Sequence, residues 1–184
     1  MKLGLIISEL RSWAKSFDER VYGAAEFSVI DSSTELKMPC AFVLPLGETV
    51  TDSDINSTLY QQRVEQSFGV AVYVSTANDE QGVIAYDRIE ELKAEVLAAI
   101  AGWAPDEMSE WIAYEGSSIL DLNRARLCVQ LEFTVAYPIE DVQTRHWRDL
   151  EGLGPLTGIN VDVDLIPNDG VIEAKAKYEL GVDG

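Results

Sequence analysis

Two spacings of apolar residues organise this chain. Leu3, Ile6, Leu10, Trp13 and Phe17 recur at helical steps, which predicts an amphipathic helix over residues 3–17 with one buried stripe. Ile89, Leu92, Val96, Ile100 and Trp103 repeat the pattern in "YDRIEELKAEVLAAIAGW", residues 86–103. Asp87 is the expected cap there, with Glu90 three residues on, and Gly102 and Pro105 end the helix. Elsewhere the period is two. In "QRVEQSFGVAVYVS" (62–75), Val64, Phe68, Val70, Val72 and Val74 share a face opposite Arg63, Glu65, Ser67 and Ser75. This predicts a long strand with one solvated side. "RARLCVQLEFTVAY" (124–137) sets Leu127, Val129, Leu131, Phe133, Val135 and Tyr137 against Arg124, Arg126, Gln130, Glu132 and Thr134.

Shorter runs fill the gaps. "RVYGAAEFSVI" (20–30) and "CAFVLPLG" (40–47) are β-like, and Pro45 puts the second at a sheet edge or ends it early. "TVTDSDINST" (49–58) carries no periodic apolar signal and is expected to be a polar loop. "EWIAYEG" and "SILDLN" suggest a short hairpin about Gly116-Ser117, and the glycine-rich "DLEGLGPLTG" (149–158) a linker or extended arm. The order helix, strands, helix, strands implies an α+β fold: a mainly antiparallel β-sheet packed with two principal α-helices.

Beyond the linker, "GINVDVDLIPNDGVIEAKAKYEL" (158–180) alternates again and predicts a C-terminal β-hairpin arm. With the turn at 167–170, Val161 faces Ala176, Val163 faces Ala174 and Leu165 faces Ile172. The opposite side then pairs Asp162 with Lys175 and Asn160 with Lys177. A register two residues longer keeps the same faces but pairs Asp164 with Lys175 and Asp162 with Lys177. A two-stranded ribbon is marginal alone in water, so its apolar face must lie on its own domain or on a neighbouring subunit. The expected division is a domain over residues 1–140, then a linker and arm over 141–184.

Charge narrows the function. The chain has 32 acidic and 14 basic residues, a net −18, and such a surface repels phosphate and anionic lipid. Cys40 and Cys128 each sit in an apolar run, as buried thiols do. "MKLGLIISELRSW" is too short and too soon interrupted for a signal peptide, and nothing approaches a membrane span, so a cytoplasmic origin is expected.

Candidate chemistry is sparse. The one histidine, His146, has no G-x-S-x-G nucleophile elbow to serve, and neither cysteine has a His or Cys at zinc-ligand spacing. Asp162, Asp164 and Glu173 fall at positions one, three and twelve of an EF-hand loop, but Pro167 stands where that loop needs Gly. No catalytic residue, metal site or cofactor is expected.

Over roughly residues 1–140 the order of parts resembles the bacteriophage tail terminator family. The likeness is carried by the first helix with Leu10 and Trp13, then "RVYGAAEF" and "PCAFVLP". It continues through "QQRVEQSFGVAVYVS", "DRIEELKAEVLAAIAGW" and "GSSILDLNRARLCVQLEFTVAY". The resemblance implies a structural virion protein, made in the host cytoplasm, that forms a hexameric ring at the head-proximal end of the tail. That ring would cap the tail tube protein, stop its polymerisation, and meet a head-completion or neck protein. DNA would slide through without specific binding, past a wall whose acidity repels it, and no membrane is involved. The arm residues Val161, Val163, Leu165, Ile172, Ala174 and Tyr178 are then candidate contacts between subunits. Arg124, Arg126, Arg145 and Arg148 are candidates for salt bridges between subunits, or for plain solvation.

Two other readings compete. One is a different ring of the same particle, a neck connector or a tail tube subunit. The other is an acidic enzyme or small-ligand protein, which requires two close carboxylates in an apolar cleft.

Overall fold

A computed structural model describes residues 2–30, 35–55, 60–77, 79, 82–153, 158–163 and 174–179. The chain divides into two compact units, Met1–Glu140 and Asp141–Gly184.

The first unit is a five-stranded sheet backed by helices. Its strands are β1 (Val21–Tyr22), β2 (Cys40–Ile55), β3 (Tyr60–Ser75), β4 (Ala113–Leu122) and β5 (Arg126–Glu140). They lie in the order β1-β2-β3-β5-β4, with every pairing antiparallel except the short parallel β1–β2 contact. Two helices, α1 (Leu3–Trp13) and α3 (Val83–Ile100), cover one face, and the four-residue α2 (Ala24–Phe27) follows β1.

The main core is built by the predicted stripes. Ile6 and Leu10 from α1, and Ile89, Leu92, Val96 and Ile100 from α3, are buried. They join Phe68, Val70, Val72 and Val74 of β3 and Leu127, Val129, Leu131, Phe133 and Val135 of β5 in one cluster. Each fully buried side chain of this size contributes about 1.5–3 kcal/mol of transfer free energy.

Helix α1 is shorter than the spacing predicts. It ends at Trp13, a 3₁₀ turn Lys15–Phe17 follows, and the change of pitch turns Phe17 inward while Trp13 is left 66% exposed. Helix α3 begins earlier than expected. Asp87 therefore lies inside it rather than capping it; Gly82 is the N-cap, and Asp79 Oδ2 accepts a hydrogen bond from the Ala85 amide at 2.8 Å. Gly102, at φ +75°, sits just past its end, where glycine is at home.

The second face of the sheet is not simply solvated. Cys40, Phe42, Leu44, Ala71, Tyr73 and Cys128 form a smaller core there, packed by Tyr22, Phe27, Ile30, Leu36 and Met38. Phe42 meets Tyr73 edge-on at 5.7 Å between ring centroids and Phe27 at a similar distance. The unbroken apolar runs "CAFVL" and "GVAVYV" carry the signal for this: a strand covered on both faces loses its alternation. The 20–30 run accordingly spends only two residues as strand, and its remainder, through α2 to Ile30, helps to cover this face.

Gly69 stands at the edge of this second core. A Cβ there would meet the Gln130 side chain at 3.1 Å, and Gln130 is itself buried with its amide donating to Glu132 Oε1 at 2.9 Å. Gly69→Val is expected to cost about 1–3 kcal/mol by overpacking, measured by urea unfolding.

Two further expectations are corrected. The polar stretch after residue 48 is not a loop up to Ile55: β2 runs on and pairs with β3 as far as Ile55↔Tyr60. Both faces of that end of β2 are exposed, which is why no apolar period marks it. The hairpin about Gly116-Ser117 is instead one strand, β4, with a register shift between Tyr114 and Gly116. The glycine there, at φ +155°, serves a bulge rather than a turn.

In the second unit a 3₁₀ turn (Asp141–Gln143) leads into α4 (Arg145–Glu151), so part of the expected linker is helical. Strands β6 (Gly158–Val163) and β7 (Ala174–Glu179) then pair antiparallel as the C-terminal hairpin.

Candidate assembly surfaces

The hairpin takes the shorter of the two predicted registers. Val161 lies opposite Ala176, Val163 opposite Ala174, Asp162 opposite Lys175 and Asn160 opposite Lys177. In this register positions 161, 163, 174 and 176 alternate with positions 160, 162, 175 and 177 along the ribbon. Ile159, opposite Tyr178, continues the first set, and both side chains are exposed. Ile159 is an addition to the predicted contacts; its place in the alternation was visible, but it falls next to the glycine that closes the linker. Leu165, Ile172 and the turn lie outside the described residues, as do Asp164 and Glu173 of the EF-hand-like spacing.

The four arginines fall in different settings. Arg126 is buried on β5, bonded through Nε to Asp121 Oδ2 at 3.1 Å, with its guanidinium 5.4 Å from the centre of the Tyr73 ring. It thus ties β4 to β5 within its own chain. Arg124 is exposed between those strands. On α4, Arg145 pairs with Asp149 one turn on, at 3.3 Å, and Arg148 is exposed.

Sequence patterning missed a clamp between β3 and the segment that precedes β4. Arg63 on β3 makes a two-pronged contact with Glu110, Nε and Nη2 each 2.8 Å from a carboxylate oxygen, while Nη1 donates to Thr51. The hydrogen bond from Arg63 holds the Glu110 carboxyl below its usual range. The pair is well exposed and fixes geometry more than it adds stability. Nothing in the spacing of residues 63 and 110 announces it.

The cysteines lie in the second core, Cys40 beside Tyr73 across β2–β3 and Tyr73 beside Cys128 across β3–β5. Burial pushes the Cys40 thiol up to about 11 and the Cys128 thiol up to about 12. Raised values keep both protonated at neutral pH, and the thiolate is the nucleophile. Iodoacetamide at about pH 8 is expected to leave the folded chain unmodified and to label both thiols once urea unfolds it, read by intact mass. A label on the folded chain would contradict this burial.

Among the described residues no group of three or more His, Cys, Asp or Glu side chains could hold a metal ion, and no helix is long and apolar enough to cross a membrane. His146 lies on the short helix α4.

What these features define is a class: a helix-backed, mainly antiparallel sheet whose outer strands carry no further strand along most of their length among the described residues, followed in the chain by a hairpin. The chain belongs to the phage tail terminator protein family, whose model matches residues 1–144. It is therefore a structural protein of the virion and not an enzyme. A chain from the virion of a native gene transfer agent particle is similar to it, at 12% identity and a TM-score of 0.48, over 73% of this chain and 92% of that one. No curated protein matches the sequence.

Proposed function

We propose that the chain closes the phage tail: copies assemble into a hexameric ring on the last ring of the tail tube, at the head-proximal end. The ring stops tube growth and presents a surface to a head-completion or neck protein. The observation that carries this reading is the family match over residues 1–144, which spans the whole first unit. The net charge of −18 supports it, because a ring of such subunits repels the phosphates of DNA that must slide through its opening. In cells assembling the particle, loss of this chain is expected to give tubes of unregulated length, and its return to restore uniform tails. Uniform tails without it would overturn the proposal.

The second unit acts as the arm. Its hairpin lays the Ile159, Val161 and Tyr178 face on an adjacent subunit or on the neighbouring ring, a polar-backed ribbon covering an apolar surface. Charge opposes this assembly, since copies at −18 repel each other. Association is therefore expected to strengthen as salt rises from about 0.05 to 0.5 M, through screening, as measured by sedimentation. Association that weakens with salt would mean that ion pairs, rather than apolar and backbone contacts, hold the ring.

A further inference from the structure

We infer that the contact between neighbouring copies is made by backbone pairing of the free edge of β4 with the free edge of β2 in a second copy, a junction that rests on the ring reading above.

The sheet itself supplies the reason. Strands β2, β3, β5 and β4 are joined by three antiparallel pairings, so the two outer strands run in opposite directions. A copy placed head to tail beside the first sets its β2 antiparallel to β4 and continues the alternation without a break. Such a contact uses two different surfaces of one molecule, the kind that repeats from copy to copy and closes into a ring when the rotation allows.

Both edges are open for most of their length. β1 covers β2 only at Ala41 and Phe42, and among the described residues of the first unit no strand lies along residues 43–53 or along the outer side of β4. A row of unpaired N–H and C=O groups is a template for another strand, and edges that must stay single are usually guarded by Lys or Pro. β4, "AYEGSSILDL", has neither, and its guards are limited to the carboxylates of Glu115 and Asp121 and the register shifts at Tyr114/Gly116 and Ile119/Asp121.

The apolar side chains agree. Ile119 and Leu122 lie opposite Val129 and Leu127 of β5, both in the main core, yet they are 56% and 61% exposed. On β2, Val50 lies opposite the buried Val64 and is itself exposed, as is Leu46. The core face of the sheet thus runs out uncovered at both edges, and joining them makes it continuous. Because β1 occupies the start of β2, β4 must pair further toward Ile55, a stagger of the kind that closure of a sheet into a barrel requires. Pro45 and the register shifts at Pro45/Gly47 and Val50/Asp52 divide the ladder into short runs. Glu48 and Asp52 on one edge and Glu115 and Asp121 on the other repel across it, so the attraction is apolar and backbone in kind.

The test uses the full chain with exposed cysteines at the edges, Leu46→Cys or Val50→Cys on β2 and Ile119→Cys or Leu122→Cys on β4. Mild oxidation of the cross-edge double variants is expected to give a ladder of covalent multimers, and of the single variants no dimers. Ile119→Glu with Leu122→Glu, which removes apolar contact and adds to the like charge across the junction, is expected to weaken association about tenfold or more while circular dichroism stays that of the parent. Dimers from Ile119→Cys alone would mean a two-fold β4–β4 contact and overturn the proposal. Rings seen by electron microscopy with no cross-edge bond in any pairing, and unaffected by the glutamates, would overturn it and leave the ring standing. A chain that forms no multimer at any concentration or salt, alone or on tails, would overturn both.

Discussion

Phe133→Ala is expected to lower stability by about 3–5 kcal/mol, the range for emptying an aromatic site in a packed core. Phe133 is fully buried on β5 at the centre of the sheet. Its ring stacks on Phe68 of the neighbouring strand at 5.4 Å and 16° between planes, and Tyr114 of β4 packs against it at 5.5 Å. Removing it therefore opens a void touching three strands at once, between stiff elements that cannot collapse to fill it. Urea unfolding checks this through a lower midpoint at unchanged slope. A loss under about 1 kcal/mol would mean the site relaxes freely and the core is loosely packed there.

The second large effect is on assembly. Truncation at Asp149, removing the end of α4 and the hairpin, is expected to leave the first unit folded, because its two cores are built entirely from residues before Asp141. If the arm lies on a neighbouring subunit or ring, the truncated chain loses at least tenfold in association, about 1.4 kcal/mol per subunit contact. Circular dichroism and sedimentation on the same samples separate the two consequences. An unchanged ring from the truncated chain would remove the arm from assembly and leave it folded against its own domain.

Much of this architecture was legible in the residues, and the failures share a physical cause. Helical stripes and the two long strands were readable because each had one buried face and one wet face, so polarity tracked geometry. The Ile6–Leu10 and Ile89–Leu92–Val96–Ile100 stripes are buried as their spacing requires. Where geometry and polarity part company the reading broke. The distal half of β2 is exposed on both faces and looks like a loop, and the second core hides alternation because both faces are covered. Gly116 looks like a turn until a strand is seen to bulge through it. Helix ends slipped for a local reason: Trp13 and Asp87 fit their patterns, but a 3₁₀ turn takes over after the first helix, and Asp79 ahead of the second accepts from the Ala85 amide.

The candidate surfaces divide along the same line. The faces of the hairpin followed from its alternation, which left two registers open; the structure takes the one with Asp162 opposite Lys175 and Val161 opposite Ala176. The burial of Arg126 and the Arg63–Glu110 clamp did not follow from alternation, since partners so placed meet only once the strands are in order. Pro45 pointed to an edge for β2, whose outer side pairs only with β1 at Ala41 and Phe42 among the described residues, whereas no residue of β4 announces its place at the other edge.

Electron microscopy of the purified full-length chain, with its mass in solution over a wide range of concentration and salt, tests the closing role most directly. A tail-closing protein gives discrete sixfold rings with a central hole, of a mass that stops rising once the ring is complete. Tubes that lengthen with concentration would contradict that role, because a subunit that stacks on itself cannot end a tube.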